Sequence, residues 1–223
     1  MSASSKSSTQ SVFESRNHHD QAFEVFYDMR ANSELCDITL KIGNLKFTAH
    51  KVVLAASSSF FRQKFSSQDE VGSYEMSLPD FLKPDAMAAM LDYLYTGYLR
   101  INTENMEDLL AVACFIKNEQ VLHAILEKVL ANVSISNCLR LQQIASTNNL
   151  TDMQDKVERF IEWNFEHVAK EPSFLSLDAK VVKDIIKRDN LKVTNEEVVY
   201  DAVYSWFMYE RLQRLVFMII FFA

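Results

Sequence analysis

Residues 37–42 alternate in character, with Ile38, Leu40 and Ile42 on one face and Asp37, Thr39 and Lys41 on the other. That is the period of a half-buried strand. Gly43-Asn44 is a two-residue turn signal, and Leu45 and Phe47 resume the alternation, so a β-hairpin is predicted. After Ala49-His50 the period lengthens. Val52, Val53, Ala55 and Ala56, then Phe60, Phe61 and Phe65, fit two short apolar helices broken at Ser57-Ser58-Ser59. A first helix, from about His18 to Arg30, precedes the hairpin with Phe23, Phe26 and Tyr27 on its apolar side.

Further on, Ser66–Gly72 reads as a polar loop. Tyr74, Met76 and Leu78 alternate again and predict a third strand, ended by Pro79. Pro84 suits the first turn of a helix through Met87, Met90, Leu91 and Leu94, and Gly97 suits its C-cap. Tyr98–Ile101 predicts a further strand. Met106, Leu109, Leu110, Ala113 and Cys114 predict a helix with one buried face, and Glu119–Asn132 another. From Val133 onward the pattern is helical throughout. Ser136 is the expected cap of a helix bearing Leu141, Ile144 and Ala145. Thr151-x-x-Gln154 and Thr194-x-x-Glu197 read as capping boxes, and Pro172 interrupts the run between them. An α/β front half is thus followed by an all-helical back half, with no Gly- or Pro-rich linker between them.

Composition narrows the function. At 48% hydrophobic the chain can bury a core, while a net charge of −7 with no basic run disfavours nucleic acid as a partner. Lys180, Lys183, Lys187 and Arg188 come closest to a basic run, but at helical spacing they read as a solvated helix face. Only three glycines, Gly43, Gly72 and Gly97, are present. Phosphate-cradling loops need several close together, and propeller blades need them at frequent turns, so neither is expected. Cys36, Cys114 and Cys138 are scattered and odd in number, which suits a reducing compartment, cytoplasm or nucleus. The Ser-rich stretch within 1–17 reads as a disordered tail without a secretory signal. Leu215–Ala223 is wholly apolar, yet a spanning helix needs about 20 such residues, so no membrane anchor is expected.

Two stretches carry a family resemblance. Cys36-Asp37-Ile38-Thr39-Leu40, then Phe47-x-Ala49-His50-Lys51-x-Val53-Leu54-Ala55-Ala56-x-Ser58-x-x-Phe61, closely resembles the core of a BTB (POZ) domain. Leu94-Tyr95-Thr96-Gly97-Tyr98 is similar to that domain's second signature. Ser136-Asn137-Cys138-Leu139, Phe160-Ile161-x-x-Asn164-Phe165-x-x-Val168, Phe174-Leu175-x-Leu177, Asp189-x-Leu191-x-Val193 and Trp206 resemble the BACK domain that follows BTB in Kelch-like proteins. The resemblance implies an α+β chain: a disordered tail over 1–17, a BTB/POZ domain over 18–132 with a small sheet flanked by helices, an all-α BACK domain over 133–214, incomplete, and an apolar tail over 215–223. It also implies a fragment, a short isoform or a relative without the kelch propeller, which would occupy its partner without delivering substrate.

No catalytic constellation emerges. His18 and His19 are adjacent and cannot both face one metal from a helix, and His50 reads as a buried structural histidine. Glu119–His123 and Glu162–Glu166 read as surface pairs. No enzyme activity, metal or cofactor is expected. The resemblance implies interaction instead. Phe23, Phe26, Leu35 and Asp37 would lie at a homodimer interface, with a core role as the plain alternative for the apolar ones. Kelch-like proteins bind cullin-3 as adaptors of a RING ubiquitin ligase, through the helix after the hairpin and the loop beyond it. Phe61, Phe65, Glu70, Tyr95 and Asn118 are the contact candidates this implies, with core as the alternative for the two phenylalanines. The family's loop carries a hydrophobic residue, any residue, then Glu. Here Gln68-Asp69-Glu70 keeps the acid but not the apolar anchor. Ile116-Lys117-Asn118 likewise departs from the family's apolar-Gln-apolar stretch. A dimeric scaffold for cytoskeletal or transcriptional partners, without cullin, is the competing expectation.

Overall fold

The alternation over 37–42 becomes the central strand of a small sheet. The computed structural model describes residues 14–66, 74–211 and 214. The expected tail over 1–17 lies outside them except for its last four residues, and the Ser66–Gly72 loop and the apolar tail over 215–223 lie outside them almost wholly or wholly. The described residues fall into two units, 1–100 and 101–223.

In the first unit, β1 (Ile38–Ile42) pairs antiparallel with β2 (Leu45–Ala49), and Gly43 takes the positive φ of 55° that the tight turn demands. β3 (Tyr74–Ser77) pairs parallel with β1, giving the order β2-β1-β3. Ile38, Leu40 and Ile42 are buried, as the period-2 pattern requires. α1 (His18–Ala31) precedes the sheet and packs on α4 (Pro84–Thr96), to which Arg30 ties it through an ion pair with Asp92 at 2.8 Å. α2 (Lys51–Ser57) and α3 (Ser59–Ser66) meet at Ser58, whose hydroxyl accepts the Phe61 main-chain N–H at 3.1 Å and so starts α3. Pro84 occupies the first turn of α4, and Gly97 closes it with φ 74° and its N–H on the Tyr93 carbonyl.

Tyr98–Ile101 forms no strand. A strand needs a ladder partner, the described sheet ends at β2 and β3, and Tyr98 is left 85% exposed.

The second unit is helical. α5 (Met106–Ile116) and α6 (Glu119–Ala131) pack together, and α6 also packs on α8 (Thr151–Trp163). α7 (Cys138–Thr147) pairs with α8, α9 (Phe165–Val168) and α10 (Pro172–Leu175) follow as single turns, and α11 (Ala179–Ile186) and α12 (Glu196–Tyr209) complete the described elements. Pro172 begins α10 at its first position, the one place in a helix where its missing N–H costs nothing.

Three expected caps are displaced by one residue. Ser136 does not cap α7; Asn137 holds the cap position, and its side chain takes the Ser134 N–H instead. Leu150 precedes α8 with Thr151 already inside it, and Gln154 donates to Glu158 rather than back to a cap. Asn195 caps α12 by accepting the Val198 N–H at 3.1 Å, because Asn is the stronger cap and stands one residue nearer the helix. Thr194 is drawn off by Glu166, whose carboxylate accepts both its main-chain N–H and its hydroxyl. Those two hydrogen bonds hold the Glu166 carboxyl below its ordinary value.

Candidate functional site

At the strand-to-helix junction of the first unit, one histidine organises three segments. His50 is buried. Its Nε2 lies 3.0 Å from the Glu34 carbonyl, which can only accept, so Nε2 carries the proton. Nδ1 is then the acceptor for the Tyr95 hydroxyl at 2.8 Å, and that same oxygen accepts the His50 main-chain N–H at 2.8 Å. The phenol is therefore donor and acceptor at once. Arg30 lies 5.2 Å above its ring. Next door, the Asp37 carboxylate accepts the Lys51 N–H at 2.7 Å, satisfying the exposed start of α2 from the strand side. This is the structural histidine expected from the Ala-His-Lys pattern.

Burial fixes the charge state of three groups. It pushes the Tyr95 phenol from its ordinary 10.0 up to about 12, and the Cys114 and Cys138 thiols from 9.0 to about 11 each. The folded chain holds these protons more tightly than the unfolded one. Their contribution to stability is thus complete below about pH 9 and lost as pH rises towards about 12. Urea midpoints should be level from neutral pH to about pH 9 and then fall steadily. A midpoint unchanged at pH 11 would overturn this assignment.

The expected interface residues divide by exposure. No residue of α1 is buried, and Phe23, Val25 and Tyr27 on it are exposed, as is Leu35 at 80%. Phe26 is half-buried, with its ring 5.8 Å from Phe23 and 6.2 Å from His50. Asp37 is half-buried and already serves α2. Among the expected cullin contacts, Phe65 is half-buried and stacks on Phe61 at 5.6 Å. Phe61 and Tyr95 are 0% and 2% exposed, and Asn118 is also buried. Each has a structural role within the chain: Phe61 stacks with Phe65, Tyr95 serves His50, and Asn118 caps α6 by accepting the Val121 N–H at 3.0 Å. Lys117 before it closes α5 in the left-handed region at φ 52°. The Ile116-Lys117-Asn118 departure thus has a local cause, a helix end followed at once by a helix start. Glu70 and Gln68 lie outside the described residues. Sequence reasoning missed the exposed Val25 on α1 because it sits off the helical face that Phe23 and Phe26 define.

Among the described residues no group of three His, Cys, Asp or Glu side chains could hold a metal ion, and no helix is long and apolar enough to cross a membrane.

A three-stranded sheet with a short helix pair after its hairpin, followed by a helical array, defines the class. Residues 26–134 match the family model of the BTB/POZ domain, and residues 138–219 match BACK, described as BTB And C-terminal Kelch. The chain carries a BTB/POZ domain followed directly by a BACK segment. Human Kelch-like protein 5 is 26% identical over 202 residues, which cover 91% of this chain and 27% of that protein. The solved BTB domain of zebrafish PATZ1 is 26% identical, covers 55% of this chain and is itself covered completely, with a TM-score of 0.49. The BTB match runs past residue 100 to include α5 and α6, although these helices cluster with the second unit, where they pack on each other and α6 packs on α8.

Proposed function

We propose that the chain is a non-catalytic, dimeric adaptor of the cullin-3 RING ubiquitin ligase type, acting in cytoplasm or nucleus. The observation that carries the reading is the direct succession of a BTB/POZ domain and a BACK segment, each matched in order. In this reading residues 18–132 form the dimerising domain and 133–214 the helical one. The bare apolar surface of α1 supports the dimer, since Phe23, Tyr27 and the adjoining Leu35 stand exposed where a second copy would cover them. Half-buried Phe65 on α3 and Glu70 beyond it remain the contact residues for cullin-3. No cofactor and no nucleic acid take part.

Gln68 favours a second reading, a dimeric scaffold for cytoskeletal or transcriptional partners without cullin. A buried apolar anchor often dominates such contacts, and its absence weakens binding by about 1–3 kcal/mol. Calorimetric titration of the dimer with the cullin-3 N-terminal region separates the two. The adaptor reading expects saturation at one cullin per chain, and Gln68→Leu should tighten binding about tenfold or more. A folded dimer giving no heat, with Gln68→Leu equally silent, would leave the scaffold reading standing.

A further inference from the structure

The helix α12 carries apolar side chains on two faces. Ala202, Val203, Trp206 and Phe207 are buried. Tyr200, Tyr204 and Met208, at i, i+4 and i+8, form a stripe on another face and are 54%, 46% and 42% exposed. The Tyr200 and Tyr204 rings stack with centroids 6.3 Å apart and planes 9° apart, which makes part of the stripe a flat aromatic platform. Apolar residues on opposite faces are the pattern of a helix covered on both.

Charge narrows what covers the stripe. Exposed Glu197 and Asp201 border it, three residues before Tyr200 and Tyr204. Two copies packed stripe to stripe would bring these carboxylates together, and an anionic membrane surface would be repelled by them. An uncharged segment meets no such penalty. Leu215–Ala223, Leu-Val-Phe-Met-Ile-Ile-Phe-Phe-Ala, is one, without a single polar side chain. It sets out from α12 itself. Arg214, immediately before it, is buried, with its guanidinium 4.1 Å from the Trp206 ring centroid and an ion pair to Glu210 at 2.7 Å. A segment of that length reaches up to about 30 Å when extended. The 14 residues of α12 span about 21 Å, so Met208 and Tyr204 are within reach. A tether this short gives an effective concentration on the order of millimolar, well above that of a free competitor.

We propose that Leu215–Ala223 folds back on α12 of its own chain and covers the stripe of Tyr204 and Met208, with the Tyr200 ring at its far end. The segment is then a closing piece of the helical unit, and neither a lipid anchor nor a contact between copies.

The test is nuclear Overhauser spectroscopy on the full chain with 13C-methyl methionine, read from Met218 in the segment. Met218 should show cross-peaks to the Tyr204 ring, and Tyr204→Ser should remove them and return the Met218 methyl to its random-coil shift. Chymotrypsin cleavage after Phe217, Phe221 or Phe222 should be about tenfold faster in Tyr204→Ser, because the open form is more populated. A random-coil Met218 in the unsubstituted chain, cross-peaks only to residues outside α12, or equal cleavage rates would overturn the proposal. So would isotope-filtered cross-peaks between labelled and unlabelled chains refolded together, which would give the stripe to a second copy. Broadening of the Met218 signal by phosphatidylcholine vesicles would give the segment to lipid and overturn it as well. The cross-peaks of the unsubstituted chain decide the matter even if the variant does not fold.

Discussion

Tyr95→Ala is expected to unfold the first unit at room temperature or bring it close to that point. The ring is 2% exposed, its hydroxyl joins His50 by two hydrogen bonds, and the Arg30 guanidinium lies over its face. Truncating a buried aromatic costs about 3–5 kcal/mol, a large part of the roughly 5–15 kcal/mol a domain possesses. Tyr95→Phe keeps the ring and removes only the hydroxyl. It leaves the His50 N–H and Nδ1 unpaired in the interior, at a cost of about 1–3 kcal/mol. Urea unfolding followed by near-UV and far-UV circular dichroism would separate the two variants. If Tyr95→Phe proved as stable as the parent, the phenol–imidazole pair would not be the junction's fastening. If it proved as damaging as Tyr95→Ala, the hydroxyl rather than the ring volume would dominate.

The second large effect belongs to the helical unit. Trp206 is 1% exposed, its Nε1 donates to the Leu177 carbonyl at 2.7 Å, and the Arg214 guanidinium lies 4.1 Å from its ring centroid. Arg214 also donates to the Trp206 carbonyl and pairs with Glu210 at 2.7 Å. Trp206→Ala therefore opens a cavity, orphans the Leu177 carbonyl and takes the cation–π partner from Arg214, a loss of about 3–5 kcal/mol. Fluorescence gives an independent readout. Trp163, the chain's other tryptophan, is 70% exposed, so a folded Trp206→Phe variant should emit at the red-shifted wavelength of a solvated indole. A spectrum unchanged by Trp206→Phe, or an Ala variant of parental stability, would show that Trp206 is not the buried indole at the heart of this unit.

Local structure was legible where local physics decides it. Ile38, Leu40 and Ile42 could be assigned to a buried strand face because a period of two has no helical reading. Gly43 and Gly97 marked a turn and a helix end because both backbone positions need a positive φ. The caps failed by one residue because Asn137 and Asn195 stood beside the Ser and Thr that the capping-box pattern favours, and either neighbour could have served. Tyr98–Ile101 alternates like a strand, but alternation does not supply a partner strand.

The candidate site was less legible, because its members are remote in sequence. His50 could be read as structural from its position, yet nothing local says that its partners are Glu34 and Tyr95. Residues taken from the family pattern as contacts turned out to have a second employment. Phe61 and Tyr95 fall on positions of the pattern and Asn118 on a departure from it, yet all three are buried, and a motif does not distinguish a residue kept for packing from one kept for a partner. Asp37 is similar, since its carboxylate closes the start of α2.

β1 carries a consequence for how the first unit breathes. One of its edges is met by β2, its immediate neighbour in the chain, and the other by β3, which arrives only after α2 and α3 have intervened. The hairpin ladder is local and inexpensive in loop entropy, whereas the parallel ladder closes a long loop for four residue pairs. Transient openings should begin at β3 and leave the hairpin intact, so amide exchange would divide the sheet into a fast edge and a slow pair. Whatever binds along Tyr74–Ser77 would then be felt first as slower exchange at that edge, well before any change in the unit's global unfolding.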